Sequence, residues 1–366
     1  METTEEQFEL IPLHDGPGTT LLSWNGTCPE SPCGQRVAYF RMPVRAAESS
    51  QSFTGEIWLC DADLTGHRKL FEIEMRCAGF QHNGGNATWV DDGRLAFRGT
   101  AGPMETIFVV DAESGELLHE PIHGGIGHYA VKGKVPFSTT AAESTANAAY
   151  PAIDEAGIYA LNCDTGSVEK IVATEDVLGF VRSAGYTPTE ETPNISHVML
   201  NADADRVMAR WDLEECKAII SCDPGGGNWK IIPDKPLHQL WFDEETYVAV
   251  YRETGHIHRY AQDGTKLGLL AGPANHFDVS PDKQWLVTDP AYWQTPITIR
   301  LYRRGEATPA ATLASHELEY PTWELRAHAN PVFSRDGRRI YFLYPVSETR
   351  VKAVRADIGR LLDQAT

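Results

Sequence analysis

The chain has 366 residues, 42% of them hydrophobic, enough to bury a sizeable core. Its 32 Lys and Arg against 51 Asp and Glu give a formal charge of −19, which argues against nucleic acid or an anionic membrane as the main partner. An anionic substrate stays open only where the site carries local positive charge.

At the N-terminus, METTEEQFEL has neither the basic nor the apolar segment of a signal peptide. No apolar run further on reaches the roughly 18 residues of a membrane span. Seven cysteines (28, 33, 60, 77, 163, 216 and 222) are an odd number without zinc-type pairing. A cytoplasmic protein with reduced thiols is expected, and the NGT, NAT and NIS triplets read as chance matches.

From residue 20 onward the chain repeats itself. The first unit is QRVAYFRMP…GEIWLCDADLTGHRKLFEI, the second HNGGNATWVDDGRLAFRG with TIFVVDAESGELLHEP. A weaker third, GHYAVKGKVPFSTT…GIYALNCDTGSVEKIV, precedes HVMLNADADRVMAR, HQLWFDEETYVAVY and HFDVSPDKQWLVTD. The last is NPVFSRDGRRIYFLYP…TRVKAVRADI. Each unit reads as four short strands punctuated by Asp-Gly-type turns, at a spacing of about 40 residues, the signature of propeller blades. The expected fold is all-β, one seven-bladed β-propeller over residues 1–366, with blades near 20–73, 79–121, 123–172, 193–233, 237–271, 275–313 and 329–363. A pair of β-sandwiches would leave the spacing unexplained. Helix is expected only at the C-terminus, where IGRLLDQA forms about two turns.

Five histidines recur at or just before the first strand of a unit: His82, His197, His238, His276 and His328. In a propeller the first strand is innermost, so equivalent positions in successive blades are expected to face a common space. A lone histidine before a strand is ordinarily a turn residue bonded to backbone. Five in one register point to a functional rim, and make the polar RAHAN before Pro331 part of its mouth.

These stretches resemble short motifs of the oligogalacturonate lyases, seven-bladed propellers that cleave pectin-derived uronides by β-elimination. LHQLWF (237–242) is similar to the family segment carrying the catalytic base, which falls on His238. NHFDVSPDKQWLVTD (275–289) is similar to a segment supplying a metal-ligand histidine, which falls on His276. AHANPVF (327–333) resembles a segment with two metal-binding histidines; His328 matches the first, and Asn330 stands where the second would be. A ligand glutamine three residues before the first histidine corresponds to Leu325. The family's catalytic arginine falls near Lys217, the electrophile candidate. FQHNGGNATWVDDGRLAF (80–97) and SHVML (196–200) resemble two further family segments.

The chemistry so implied needs three devices. The C5 proton of a uronide lies beside a carboxylate whose charge must be neutralised, which a divalent cation does as a Lewis acid. An imidazole suits the base, and a nearby cation stabilises developing charge. The resemblance thus implies His238 as base, Lys217 as electrophile, and His276, His328 and Asn330 as ligands of a divalent cation. The amide oxygen of Asn330 favours Mn or Ca. Substrate contacts are expected from His82, His197, Arg210, Trp323 and Arg326, with Trp293 as a further wall. Trp89 and Trp241 follow the strand pattern of inter-blade core. The expected partner is an acidic oligosaccharide. The alternatives are a glycosidase or lyase for a different glycan, or a binding propeller without turnover.

Overall fold

The computed structural model describes residues 8–42, 52–76, 84–188, 195–214, 217–232, 237–290, 295–317, 328–348 and 350–365. They form seven four-stranded sheets, antiparallel wherever the pairing is resolved, the blades of a seven-bladed β-propeller. Sheet one comprises Thr19–Leu21, Arg36–Met42, Ser52–Asp61 and Arg68–Arg76. Sheet two comprises Thr88–Trp89, Arg94–Ala101, Met104–Asp111 and Ile122–His123; sheet three Gly125–Ile126, Lys134–Thr139, Gly157–Asn162 and Ser167–Ala173. Sheet four is Ile195–Leu200, Val207–Asp212, Lys217–Asp223 and Gly227–Ile232, and sheet five Leu237–Trp241, Thr246–Val250, His256–Ala261 and Lys266–Pro273. In sheet six the strands are Phe277–Val279, Trp285–Thr288, Ile297–Arg303 and Ala311–His316.

Sheet seven is built differently. Val332–Phe333, Arg339–Ser347 and Arg350–Asp357 are consecutive, and the fourth strand is Leu10–Pro12 from the other end of the chain. Leu10 lies opposite Ala356 and Pro12 opposite Val354, an edge where proline's missing N–H costs no ladder bond. The Lys352 ammonium fixes the closure by donating to the carbonyls of His14 (3.1 Å) and Gly16 (2.6 Å).

Burial explains why the sequence shows apolar runs as well as alternation. Thr246–Val250 is buried at every position, because second strands are covered on both faces. Outer strands such as Ser167–Ala173 begin in solvent and alternate. Turns from first to second strand repeat one device: Ser280 Oγ donates to Asp282 and Ser334 Oγ to Asp336, while the N–H of Trp285 and of Arg339 donates to the same hydroxyl at 2.9 Å. Gly337 supplies the left-handed turn residue in the second of these.

The chain divides into two compact units, residues 1–87, 254–257 and 269–366, and residues 88–253 with 258–268. In the second, sheets three and four bury Ile158, Val172, Val198, Trp211 and Ile220 together with Val177 and Val181 of helix α2 (Thr174–Ser183). Full burial of side chains this size contributes roughly 1.5–3 kcal/mol each. Helix α1 (Ala141–Ala146) lies within sheet three's longest connection, and α3 (Gly359–Ala365) is the expected C-terminal helix.

Candidate functional site

A backbone count fixes which first-strand residues are equivalent. The turn into the second strand is closed by the N–H of Val90, Asn201, Phe242, Ser280 and Ser334, donating to the carbonyls of Arg94, Arg206, Thr246, Trp285 and Arg339 at 2.9–3.0 Å. Four residues before each donor stand Asn86, His197, His238, His276 and Asn330. Four residues after each acceptor stand Arg98, Arg210, Val250, Asp289 and Leu343, on the second strand or, for Asp289, directly after it.

The five histidines therefore do not share one register. His197, His238 and His276 do; His328 lies two residues earlier, and Asn330 takes the equivalent place. His82 lies outside the described residues. Four of these five positions have positive φ: 48° at Asn86, 56° at His197, 54° at His238 and 45° at Asn330. In sheets four and five that residue sits in a register shift, between Ser196 and Met199 and between Leu237 and Leu240. A non-glycine left-handed residue costs about 1–3 kcal/mol and is tolerated best by Asn, Asp and His, and all four here are Asn or His. Such strain concentrates where a side chain must be aimed.

In the first unit, Asp289 organises the cluster. Its carboxylate, 2% exposed, accepts the N–H of His276 at 2.7 Å and of Asn330 at 3.2 Å. His276 Nδ1 lies 3.0 and 3.1 Å from the two carboxylate oxygens. The Asn275 amide nitrogen is also 3.0 Å from Nδ1, but two N–H groups cannot donate to each other. The carboxylate contact decides the tautomer, because a charge-assisted bond is about twice as strong as a neutral one. Nδ1 thus carries the proton and Nε2 presents a lone pair, 3.2 Å from Nδ1 of His328. Among the described residues, the Asn330 amide, 1% exposed, has no hydrogen-bond partner for its oxygen or its nitrogen. Leaving such a group unmatched costs about 1–3 kcal/mol, so it calls for an occupant. Nearby, Asp278 accepts the Phe333 N–H at 2.8 Å, and burial pushes its carboxyl up to about 6.

In the second unit, three imidazoles form a column. His128 and His197 have ring centroids 5.0 Å apart, and His197 and His238 6.0 Å. Ser196 Oγ is 3.1 Å from His197 Nδ1, and Ser196 faces Arg210 across the ladder. Arg210 is partly buried and makes no ion pair among the described residues; desolvation lowers its pKa against the pull of Asp212. Beside His238, the Gln239 amide is wholly buried, and both its polar atoms are unmatched among the described residues. Lys217 is different: its side chain is 48% exposed and its Nζ lies 3.5 Å from Asp212.

Leu325, Arg326, Trp293 and Trp323 lie outside the described residues. Trp89 is buried. Sequence reasoning missed Asp289, His128 and Gln239. Asp289 ends the repeat HFDVSPDKQWLVTD as the expected contact Arg210 ends HVMLNADADRVMAR, so their matching places in the repeat are the signal that pointed to Asp289. Among the described residues, no group of three or more His, Cys, Asp or Glu side chains is arranged to hold a metal ion.

No family model matches the sequence, and no curated protein matches it. Solved structures do share the fold. An oligogalacturonate lyase from Vibrio parahaemolyticus aligns over 97% of this chain and 94% of its own, with TM-score 0.63 and 13% identity. An oligogalacturonate lyase in complex with manganese aligns over 96% and 93%, at 0.63 and 14%. The β-propeller domain of Cps50 (Swd1) from Myceliophteria thermophila aligns over 93% and 99%, at 0.53 and 10%. At such identities the likeness establishes the propeller fold and leaves the reaction to the residues.

Proposed function

We propose that the protein is a carbon–oxygen lyase that cleaves short uronic-acid-containing oligosaccharides by β-elimination. The observation that carries this reading is the polar cluster of His276 Nε2, His328 Nδ1 and the unmatched Asn330 amide, backed by the Asp289 carboxylate. Two nitrogens 3.2 Å apart have the separation of neighbouring ligands on one cation at metal–nitrogen distances of about 2.1 Å. A buried carboxylate on the far ring nitrogen is the usual support for a metal-binding histidine. The donor set of two imidazoles and an amide oxygen fits a divalent cation such as Mn or Ca, with His276, His328 and Asn330 holding it. Bound there, the cation supplies Lewis-acid neutralisation of the uronate carboxylate.

The chain's own groups do the rest. His238 takes the C5 proton as general base; the C–H electrons become the C4–C5 double bond, the C4–O bond breaks, and the departing oxygen acquires a proton. Arg210, a largely buried guanidinium that makes no ion pair among the described residues, is the cation best suited to a second anionic group. His197 beside it contacts substrate, as do His82, Trp323 and Arg326 in this reading.

Purified protein supplied with Mn or Ca and incubated with short uronides should release an unsaturated product, seen as rising ultraviolet absorbance. No rise across several uronic acids and metals would defeat the proposal, and a saturated product would indicate hydrolysis. Arg210→Gln is expected to lower kcat/KM by about 10²–10³-fold, the effect of removing one preorganised donor. Lys217→Gln should cost far less, since solvent and Asp212 already screen its charge. The reverse order would return the electrophile to Lys217.

A further inference from the structure

Sheet three spends residues 140–156 on the connection between its second and third strands, beyond the roughly 12–15 residues of ordinary connections. The segment is built as a rigid wall. Thr140 and Glu143 form a capping box on α1, and Ser144 Oγ donates to the Glu155 carbonyl at 2.6 Å. The Asn147 amide clamps the backbone of sheet two: it accepts the His123 N–H and donates to the His123 carbonyl, both at 2.8 Å. Tyr150 Oη donates to the Glu120 carbonyl at 2.6 Å.

Between this wall and the outer strands of sheet two lies a pocket of about 350 Å³, inside the usual range for small-ligand sites. Its lining combines Phe108, Tyr150, Glu120 and His123 with small residues such as Ala148. Thr106 Oγ1 lies 3.1 Å from His123 Nδ1, which orients the ring. Applied to the turn bond from Val131 to Lys134, the same backbone count makes Ser138 the equivalent of Arg210. The connection therefore leaves sheet three at the end that bears His197 and Arg210 in sheet four.

We propose that this pocket is a saccharide subsite for a neutral sugar. Aromatic faces suit the C–H surface of a pyranose, while a carboxylate and an imidazole edge suit hydroxyls, which both donate and accept. Among the described residues no lysine or arginine lines it, so a uronate would meet Glu120 without a compensating cation there. Resting on the lyase reading, this makes the substrate a mixed fragment in which a uronic acid is joined to a neutral sugar.

Saturation-transfer NMR with methyl β-galactopyranoside tests the subsite on the full chain without turnover. Transfer to the glycoside is expected in the unmodified protein, with affinity at least about tenfold weaker in Ala148→Trp, which fills the space, and in Phe108→Ala. Ala148 is exposed, so the first variant keeps the fold; unchanged thermal unfolding verifies it. No transfer at high millimolar glycoside, or equal binding by Ala148→Trp, would overturn the subsite. Galacturonate binding there as tightly as the galactoside would overturn the neutral-sugar assignment. Elimination activity is read separately, so loss of the lyase reading leaves a measured subsite standing.

Discussion

Replacing His238 by asparagine is expected to lower uronide turnover by about 10²–10⁴-fold, the usual contribution of a positioned general base, while the fold persists. The substitution is chosen for its backbone. His238 has φ of 54° within a strand irregularity, and asparagine tolerates that conformation better than other side chains. Alanine would add a backbone cost of about 1–3 kcal/mol and confuse strain with chemistry. Asparagine keeps a polar group of similar reach without a basic nitrogen, so binding of a uronide should survive. Steady-state kinetics and calorimetric binding on one preparation separate the two effects. An active His238→Asn enzyme would move the base elsewhere, and the neighbouring His197 would be the first residue to examine.

The second large effect concerns stability. Asp289→Ala is expected to destabilise the protein by about 3–5 kcal/mol, the cost of leaving several buried donors without their acceptor. The carboxylate satisfies three donors: the N–H groups of His276 and Asn330 and the His276 imidazole. Each left unmatched in the interior costs about 1–3 kcal/mol, so the sum is consistent even after partial relaxation. Asp289→Asn retains one acceptor oxygen and should lose less. Chemical denaturation followed by tryptophan fluorescence checks both, and an unchanged midpoint for Asp289→Ala would show that water already serves those donors. Asp289→Asn should also weaken Mn binding by about 10–100-fold, since it no longer fixes His276 with its lone pair outward.

The propeller was legible because each blade carries its own strand and turn chemistry, so units such as HFDVSPDKQWLVTD and NPVFSRDGRRIYF announce themselves locally. The closing strand Leu10–Pro12 was not, since three residues pairing with the far end of the chain leave no periodic trace. Helix α2 was hidden between sheets three and four, where its apolar residues Val177, Leu178 and Val181 serve the blade core.

The site was legible in part. His276 and His328 meet although they stand at different distances from their strands, His276 directly before Phe277 and His328 four residues before Val332. Asp289 and His128 escaped notice for another reason. Asp289 directly follows a second strand, and His128 falls one place off the repeat, after Gly127. Cross-strand neighbours have no fixed sequence separation unless the turn bond is known, and here that bond is a structural fact.

The central claim is that His276, His328 and Asn330 hold one divalent cation, and metal analysis of protein prepared without a histidine tag tests it most directly. After equilibration with Mn or Ca and removal of excess ion, the expected result is one ion per chain, lost in His328→Ala and in Asn330→Ala. An ion content near zero under every metal tried, or an ion that remains in both variants, would contradict it.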